Sequence, residues 1–386
     1  MIATAAAAAD GSYAVVWESG GQDGSLDGVF LRRFAANGAP LGDEQRVNTE
    51  TLEDQRDADI AMLASGGFVV VWDSDLQDGS QRGIYGQLFD AAGAPNGDEF
   101  IVNLTTDGDQ NDAVVAAAAA GGFVVAWETH PTASQFEDIV LRLFDAAAQP
   151  MTGEIAVNTT TAGDQEDIDI AADSSGNFVV AWESDSQDGS GEGIVARLFD
   201  NVGQPLGGEI SVNTSTMGNQ EDLDLAVRPD GSFLLVWEDD FQNAEVPACY
   251  GRFFDPEGTP VTGEFHIDAG VGGDFAPRAA FGPSGGAVVV WDSLGQDDSD
   301  SAVLARHFDQ LGVPRGEAQL INTVTAGDQI LAHLAIGTTA SGLAVWISGD
   351  TPEGDSPGLF GRLFDLPLLW DGFESGDTSA WPLTFP

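Results

Sequence analysis

The chain has 386 residues and a formal net charge of −50 at pH 7, from 63 acidic residues against 13 basic ones, all of them arginine. Such a charge repels nucleic acid and anionic lipid, so we expect neither as a partner. The single cysteine, Cys249, excludes an intrachain disulfide framework, and the longest weakly polar run, residues 113–127, is broken by Gly121 and Gly122, so no membrane insertion is expected.

A short apolar run that ends in tryptophan occurs seven times along the chain. Successive tryptophans are 55 residues apart, except for one interval of 54. A fixed period of this size is typical of an array of similar structural units. The seven residues are Trp17, Trp72, Trp127, Trp182, Trp237, Trp291 and Trp346.

One repeat shows the plan of all seven. The hydrophobic pattern predicts strands over residues 167–172, 178–183, 194–200 and 209–212, separated by turns rich in glycine and asparagine. The second strand is almost continuously apolar, as expected if both of its faces are buried between neighbouring sheets. Four short strands per repeat describe one blade, so we predict an all-β, seven-bladed β-propeller with four antiparallel strands per blade. An open solenoid is the alternative, and it would need caps on two exposed end sheets.

The propeller is expected to span residues 1–366, with 367–386 as a C-terminal tail. The predicted blades are residues 1–55, 56–110, 111–165, 166–220, 221–274, 275–329 and 330–366. In the seventh repeat residues 366–370 replace the usual turn, so either they form the last outer strand or that strand is missing. Because the first repeat begins with its own first strand, we expect the ring to close by packing between the first and last blades.

Two charged residues recur in the outer half of the repeat. An arginine precedes the third-strand phenylalanine by two positions in six repeats, and a glutamate begins the fourth strand in six. Arginine can hold a carboxylate with two parallel hydrogen bonds, so we predict a structural Arg–Glu pair between strands three and four. Both residues occur in five blades, at Arg32 and Glu44, Arg142 and Glu154, Arg197 and Glu209, Arg252 and Glu264, and Arg306 and Glu317.

Acidic residues concentrate in two kinds of loop. A four-stranded meander places the second-to-third loop and the loop between blades on the same face, and together these loops hold 42 of the 63 acids. Crowded carboxylates need screening, proton uptake or a bound cation. Alternating acids followed by Asp-Gly resemble calcium-binding loops, so calcium is the predicted cofactor. The candidate ligands are Asp73, Asp75 and Asp78, the copies Glu183, Asp185 and Asp188, and Asp23, Asp109, Asp164 and Asp297.

The alternative for these loops is a set of solvated turns in which Asp and Asn cap their own backbone. Asparagines that recur at the end of the fourth strand, such as Asn103 and Asn158, are expected to fix loops. Function in a ring more often lies where one blade differs from the others. Blade five differs most, so the candidate ligand-contact residues on its rim are Asp239, Asp240, Phe241 and Tyr250.

Residues 1–366 resemble repeats of the form Phe-Val-Val-x-Trp-x-Ser-x-x-Gln-Asp-Gly-Ser, then Arg-Leu-Phe-Asp, then Val-Asn-Thr, which occur in large secreted and surface bacterial proteins. Many of those proteins also carry calcium-binding or adhesive modules. Residues 371–382, which begin Asp-Gly-Phe-Glu-Ser-Gly-Asp, resemble short tails of exported bacterial proteins. The resemblance implies a secreted or cell-surface protein whose leader is not present in this chain.

Three functions compete at this point. The first is a non-enzymatic extracellular recognition or adhesion module, with calcium ordering the acidic face and a glycan or a protein as ligand. The second is a polysaccharide-active enzyme that uses rim carboxylates, because no zinc spacing, nucleophile elbow or phosphate loop is present but paired carboxylates are abundant. The third is a scaffold that assembles with copies of itself.

Overall fold

The computed structural model describes residues 3–118, 121–240, 246–267, 273–296, 301–323, 325, 327–337, 341–349, 358–365 and 383–384. Within these ranges the chain forms seven sheets of four antiparallel strands and no α-helix. The seven-bladed β-propeller predicted from the repeat is therefore confirmed. In the same ranges, no helical segment has the length and apolar character needed to cross a bilayer.

Each blade is a meander whose strands follow one another in chain order. Blades 1 to 4 contain β1 (Ala3–Ala7), β2 (Tyr13–Gly20), β3 (Asp27–Phe34), β4 (Gln45–Arg46), β5 (Gln55–Met62), β6 (Phe68–Asp75), β7 (Arg82–Phe89), β8 (Phe100–Ile101), β9 (Asp109–Ala117), β10 (Phe123–His130), β11 (Asp138–Phe144), β12 (Ile155–Ala156), β13 (Gln165–Ala172), β14 (Phe178–Asp185), β15 (Glu192–Phe199) and β16 (Ile210–Ser211). Blades 5 to 7 contain β17 (Gln220–Val227), β18 (Phe233–Asp239), β19 (Ala248–Phe254), β20 (Phe265–His266), β21 (Asp274–Phe281), β22 (Ala287–Leu294), β23 (Ser301–Phe308), β24 (Gln319–Leu320), β25 (Gln329–Ile336), β26 (Ser341–Ser348), β27 (Gly358–Asp365) and β28 (Leu383–Thr384).

The hydrophobic core lies between neighbouring blades rather than within any one of them. Trp182 is 0% exposed, and it shares a buried cluster with Ala126 and Leu141 of the preceding blade. Its indole N–H donates to Gln165 Oε1 at 2.9 Å, which satisfies the polar end of a buried ring. Because the second strand contacts a blade on each side, both of its faces are apolar, as its sequence predicts.

In the part of the chain that the structure describes, the ring closes without an exchange of strands between the chain ends. All four strands of the last sheet, β25 to β28, come from the C-terminal part of the chain, and β1 belongs to the first sheet. Ala3 and Trp17 pack with Leu343 and Val345 in one buried cluster, so closure by packing between the first and last blades is confirmed. The outer strand of blade 7 is Leu383–Thr384, paired with Phe360 and Gly361, while residues 366–370 lie outside the described ranges.

The recurrent arginine and glutamate do not pair with each other as predicted. Arg142 donates from Nε to the Thr152 carbonyl at 3.1 Å and from Nη1 to the Val102 carbonyl of the preceding blade at 2.8 Å. Glu154 accepts from the backbone N–H of Leu104 at 2.6 Å, also in the preceding blade. The predicted pair is wrong because each residue reaches across the blade boundary and joins two sheets.

The same two links recur around the ring. Arg197, Arg252 and Arg306 each donate to a carbonyl of the preceding blade. Glu99 accepts from the Thr49 backbone N–H, and Glu209 and Glu264 accept from the corresponding threonines. Polar links between blades therefore lie near the outer edge, and hydrophobic packing fills the space between them and the axis.

Candidate functional site

A β-bulge interrupts the innermost strand of blades 2 to 7, close to the axis of the ring. In blades 2 to 5 the bulge places an aspartate at positive φ, from 49° to 54°. Aspartate tolerates this backbone conformation better than most residues, and a bulge re-aims the side chain that it carries. We call Asp57, Asp112, Asp167 and Asp222 the bulge aspartates.

A second set of acids holds these bulges in place from the neighbouring blade. The residue after the repeated tryptophan is acidic in six repeats, and in five of them its carboxyl group accepts from the bulge N–H of the next blade. Asp73 accepts from Asp112 N at 3.1 Å, and Glu128 accepts from Asp167 N at 2.7 Å. We call Glu18, Asp73, Glu128, Glu183 and Glu238 the capping acids.

Burial keeps several capping acids uncharged near neutral pH. Burial, together with the nearby bulge aspartates, raises the pKa of Glu128 and of Glu183 to about 10. The pKa of Glu18 rises to about 7 and that of Glu238 to about 8, again mainly by burial. Proton uptake by these acids therefore relieves part of the repulsion between carboxylates that the sequence predicts.

On the innermost strand of each blade, one residue faces the axis, and its type varies around the ring. In blades 2 to 7 this residue lies two positions after the bulge residue. These residues each pair with the residue that precedes the tryptophan of the second strand. They all line one cavity of about 360 Å³, into which the bulge aspartates also project. We call this set the axial position; it comprises Thr4, Asp59, Val114, Asp169, Asp224, Arg278 and His333.

Backbone N–H groups fix the three axial aspartates. Asp59 Oδ2 accepts from Val115 N at 2.8 Å, and Asp169 Oδ2 accepts from Leu225 N at 2.7 Å. Asp224 Oδ2 accepts from Ala279 N at 2.7 Å, and its Oδ1 lies 3.8 Å from Arg278 Nε. The donor always lies on a neighbouring blade, so the carboxyl groups are held by the closed ring.

Burial raises the pKa of all three axial aspartates and lowers that of the axial histidine. Burial raises the pKa of Asp59 to about 7 and that of Asp224 to about 8, and the charge of Asp169 pushes both in the same direction. Burial also raises the pKa of Asp169, opposed by backbone hydrogen bonds and by Arg278. Burial and Arg278 lower the pKa of His333 to about 4, so this imidazole is neutral at physiological pH.

This arrangement can perform acid–base chemistry. A carboxyl group that keeps its proton at neutral pH can donate it, and a neighbouring ionised carboxylate can accept one. The cavity volume falls within the range of ligand sites in proteins, and the titratable axial residues converge from five blades. Two larger cavities, of about 730 and 710 Å³, lie between blades and away from these groups.

The predicted calcium-loop residues take several different environments. The two loop types do meet on one face, where Asp27 N donates to Asp54 Oδ1 at 3.1 Å. Asp75 pairs with Arg56 at 3.1 Å, whereas Asp78 accepts from Ser80 N and from Asn103. Asp73 instead points to the axis with two bulge aspartates.

The other loop acids act mainly as local hydrogen-bond acceptors. Asp23 and Asp188 cap Ser25 N and Ser190 N as Asp78 caps Ser80 N, and Asp185 accepts from the Ser186 hydroxyl. Asp109 accepts from Arg82, and Asp164 accepts from Glu137 N. Glu183 is buried as a capping acid, and Asp297 lies outside the described residues. Asn103 and Asn158 fix loops as expected, since their Oδ1 atoms accept from Ile84 N and Ile139 N.

The blade-five candidates lie deeper than the sequence suggested. Asp239 is 1% exposed, and Tyr250 is 6% exposed, with its ring stacked on Trp237 at 6.4 Å between centroids. Tyr250 is therefore a core residue rather than a rim contact, because β19 carries it into the space between blades. Asp240 approaches Glu221 and Glu238, and Phe241 lies outside the described residues.

No protein-family model matches the chain, and no curated protein matches its sequence. Solved structures do resemble it. The polysaccharide lyase Uly1 is 9% identical with a TM-score of 0.59, and the match covers 92% of this chain and 88% of the lyase. The Penicillium chrysogenum α-L-arabinanase, complexed with arabinobiose, is 16% identical with a TM-score of 0.51, covering 81% of this chain and 94% of that protein.

A third similar structure is the β-propeller domain of the Trilobed protease from Pyrococcus furiosus, described as having an open velcro topology. It is 10% identical with a TM-score of 0.50, and the match covers 95% of each chain.

These comparisons correct the first functional hypothesis. A non-enzymatic recognition or adhesion module is wrong as the main interpretation, because the similar solved structures include a polysaccharide lyase and an arabinanase. The comparisons favour the second hypothesis, a polysaccharide-active enzyme. At these identities the likeness itself extends to the fold alone, so the chemistry rests on the axial side chains.

Proposed function

We propose that the protein is a polysaccharide-active enzyme that hydrolyses an uncharged glycan in the axial cavity, outside the cell. The observation that carries the proposal is the convergence of Asp59, Asp169 and Asp224 beside Arg278 and His333 in one cavity. The proposed site is the axial cavity rather than the rim that the sequence indicated. Most of the loop acids on the rim accept hydrogen bonds from nearby backbone N–H groups or form ion pairs.

In the proposed reaction Asp224 is the general acid and Asp169 the ionised partner. Asp224 gives its proton to the glycosidic oxygen as the bond to the anomeric carbon breaks. A water molecule adds its oxygen to that carbon and releases a proton to Asp169, so that one water is consumed per bond cleaved. Asp224 is assigned the proton because burial and the negative charge of Asp169 both raise its pKa, to about 8, while two backbone hydrogen bonds and Arg278 oppose the rise at Asp169.

The charge of the cavity mouth supports an uncharged substrate. Four bulge aspartates surround the entrance, and the whole chain carries a formal charge of −50. A polyanion would have to approach through this field, whereas a neutral polysaccharide would not. Glycans that are polymers of neutral sugars are therefore the substrate class we propose.

One observation favours a second candidate, β-elimination on a uronic acid polysaccharide. Arg278 could neutralise the substrate carboxylate, and the neutral His333 could accept the proton on the adjacent carbon. Asp224 would protonate the glycosidic oxygen at the β position as its bond to carbon breaks, and a carbon–carbon double bond would form at the new end. The acidic entrance opposes this candidate, so we place it second.

Turnover on a panel of neutral and uronic acid polysaccharides tests the proposal. Hydrolysis would give new reducing ends without ultraviolet absorbance, whereas elimination would give absorbing unsaturated ends. We expect the substitutions Asp169→Asn and Asp224→Asn each to lower kcat by roughly 10²–10⁴-fold, the usual contribution of general acid–base catalysis. Asparagine keeps an oxygen for the N–H donor, so folding should be preserved.

The matched control is Asp43→Asn, which removes an exposed carboxylate that does not line the cavity and should leave turnover unchanged. Hydrolysis that survives both axial substitutions would contradict the assigned site. Activity confined to uronic acid polymers, with unsaturated products, would replace hydrolysis by the second candidate.

A further inference from the structure

Three carboxylates from two neighbouring blades form a tight group at the mouth of the axial cavity. Asp57, Asp73 and Asp112 each offer an oxygen, and these oxygens all lie within 4.8 Å of one another. Calcium binds oxygens at 2.3–2.6 Å, so two ligands of one ion can be separated by up to about 5 Å. The spacing of the group therefore fits a single bound ion.

A buried oxygen in this group has no hydrogen-bond partner. Asp73 is 0% exposed; its Oδ2 accepts from Asp112 N at 3.1 Å, but its Oδ1 accepts from no donor in the structure. An unsatisfied buried oxygen costs about 1–3 kcal/mol, and more when it is charged. An ion placed between the three carboxylates would supply the missing partner.

The nearby arginines leave the group under-neutralised. Arg82 Nη1 lies 3.5 Å from Asp73 Oδ2, and its Nε donates to Asp109 at 3.1 Å. Arg56 is engaged by Asp54 at 2.8 Å and by Asp75 at 3.1 Å. When all three carboxylates are ionised, one shared guanidinium leaves about two negative charges, which a divalent cation would balance. Without a cation, burial and the two neighbouring aspartates raise the pKa of Asp73 well above its usual range.

We propose that Asp57, Asp73 and Asp112 bind one calcium ion at the entrance of the axial cavity. Carboxylate oxygens suit a hard cation, and bound water can complete the coordination on the open side, because Asp57 and Asp112 are only partly buried. The bulges provide the geometry, since they turn Asp57 and Asp112 towards Asp73. This site differs from the loop sites suggested by the Asp-x-x-Asp-Gly pattern, from which it takes only Asp73.

Blade 6 supplies a natural comparison. Asp292 occupies the same repeat position as Asp73, but the bulge residue of its own blade is Ala276 and the corresponding residue of blade 7 is Leu331. Two of the three carboxylates are therefore missing from that position. Among the described residues, Asp292 belongs to no group of three acids that could hold a metal.

Calorimetric titration of the chelator-treated protein with calcium chloride tests the site. We expect one ion per chain with a Kd near 10⁻⁴–10⁻³ M or lower. Asp57→Asn and Asp112→Asn should each weaken binding at least about tenfold, and asparagine remains compatible with the positive φ of both residues. The control Asp292→Asn should bind calcium like the parent protein.

Asp75→Asn and Asp78→Asn separate this site from the loop. Calcium uptake that is lost in these two variants, and retained in Asp57→Asn and Asp112→Asn, would overturn the proposal, as would no uptake at millimolar calcium. If Asp73→Asn fails to fold, the Asp57 and Asp112 variants still decide the question. The readout is ion binding rather than turnover, so this proposal and the proposed hydrolase can fail independently.

Discussion

Replacing the capping acid Glu183 by glutamine should make the protein less sensitive to rising pH. Glu183 is 2% exposed, accepts a hydrogen bond from the Asp222 backbone N–H, and has its second oxygen, Oε1, without a partner. Glutamine keeps an acceptor for that N–H and cannot ionise. It therefore copies the protonated form of Glu183 that the folded protein prefers.

The expected size follows from proton linkage. The pKa of Glu183 is about 10 in the folded protein against 4.5 for an ordinary glutamate, so the stabilising effect of its proton is complete below about pH 4.5 and is lost progressively as pH rises towards 10. Between pH 6 and 8 the unfolded chain has released this proton and the folded chain has not. Each pH unit then costs the parent protein about 1.4 kcal/mol at this one residue, or about 2.7 kcal/mol over the interval.

Urea unfolding at pH 6, 7 and 8, in the presence of a chelator, measures this difference. The free energy of unfolding of Glu183→Gln relative to the parent should rise by about 2.7 kcal/mol from pH 6 to pH 8. The control Glu257→Gln changes an exposed glutamate and should show no such trend. A Glu183→Gln difference that stays constant across the three pH values would refute the conclusion that Glu183 is folded in its protonated form.

Two further predictions concern the blade links and the axial acid. Arg142→Ala should lower the free energy of unfolding by about 2–4 kcal/mol in a urea titration, because it leaves one buried and one partly buried carbonyl oxygen unpaired. Arg315→Ala removes only an exposed pair with Asp309 and should cost less than about 1 kcal/mol. Equal costs would contradict the role given to Arg142. If Asp224 is the general acid, kcat/KM should fall as pH rises through about 8, since the proton to be donated is then lost, and a flat profile from pH 6 to 10 would contradict that assignment.

The architecture was predictable because several independent features of the repeat indicate the same fold. The period of the tryptophans, the doubly apolar second strand and the turn residues all agree on one blade, so the sevenfold ring follows with little ambiguity. The Arg142–Glu154 pair was not predictable in the same way. Both residues lie in one repeat, but their partners, such as Val102 and Leu104, belong to the preceding repeat. Contacts between blades depend on how the sheets pack, which the period alone does not specify.

The site was missed for a related reason. The search for an irregular blade pointed to the loop of blade five, where Asp239 and Tyr250 prove to be buried. The useful signal lay at a single register position of the first strand, two residues after the bulge. A comparison of the repeats by register would have shown that this position holds threonine, aspartate, valine, arginine and histidine.

The variation at the axial position shows which side chains the ring needs in order to close and which it does not. Where Val114 occupies the axial position it offers no acceptor, and Ile170 N in the next blade is satisfied instead by Asp169 Oδ1 at 2.7 Å. In three other blades the equivalent N–H, that of Val115, Leu225 or Ala279, donates to an axial aspartate of the preceding blade. The fold therefore closes without a carboxylate at this position. Since closure does not require Asp59, Asp169 and Asp224, three partly desolvated acids around one cavity need another reason to be there, and acid–base chemistry on a bound substrate provides one.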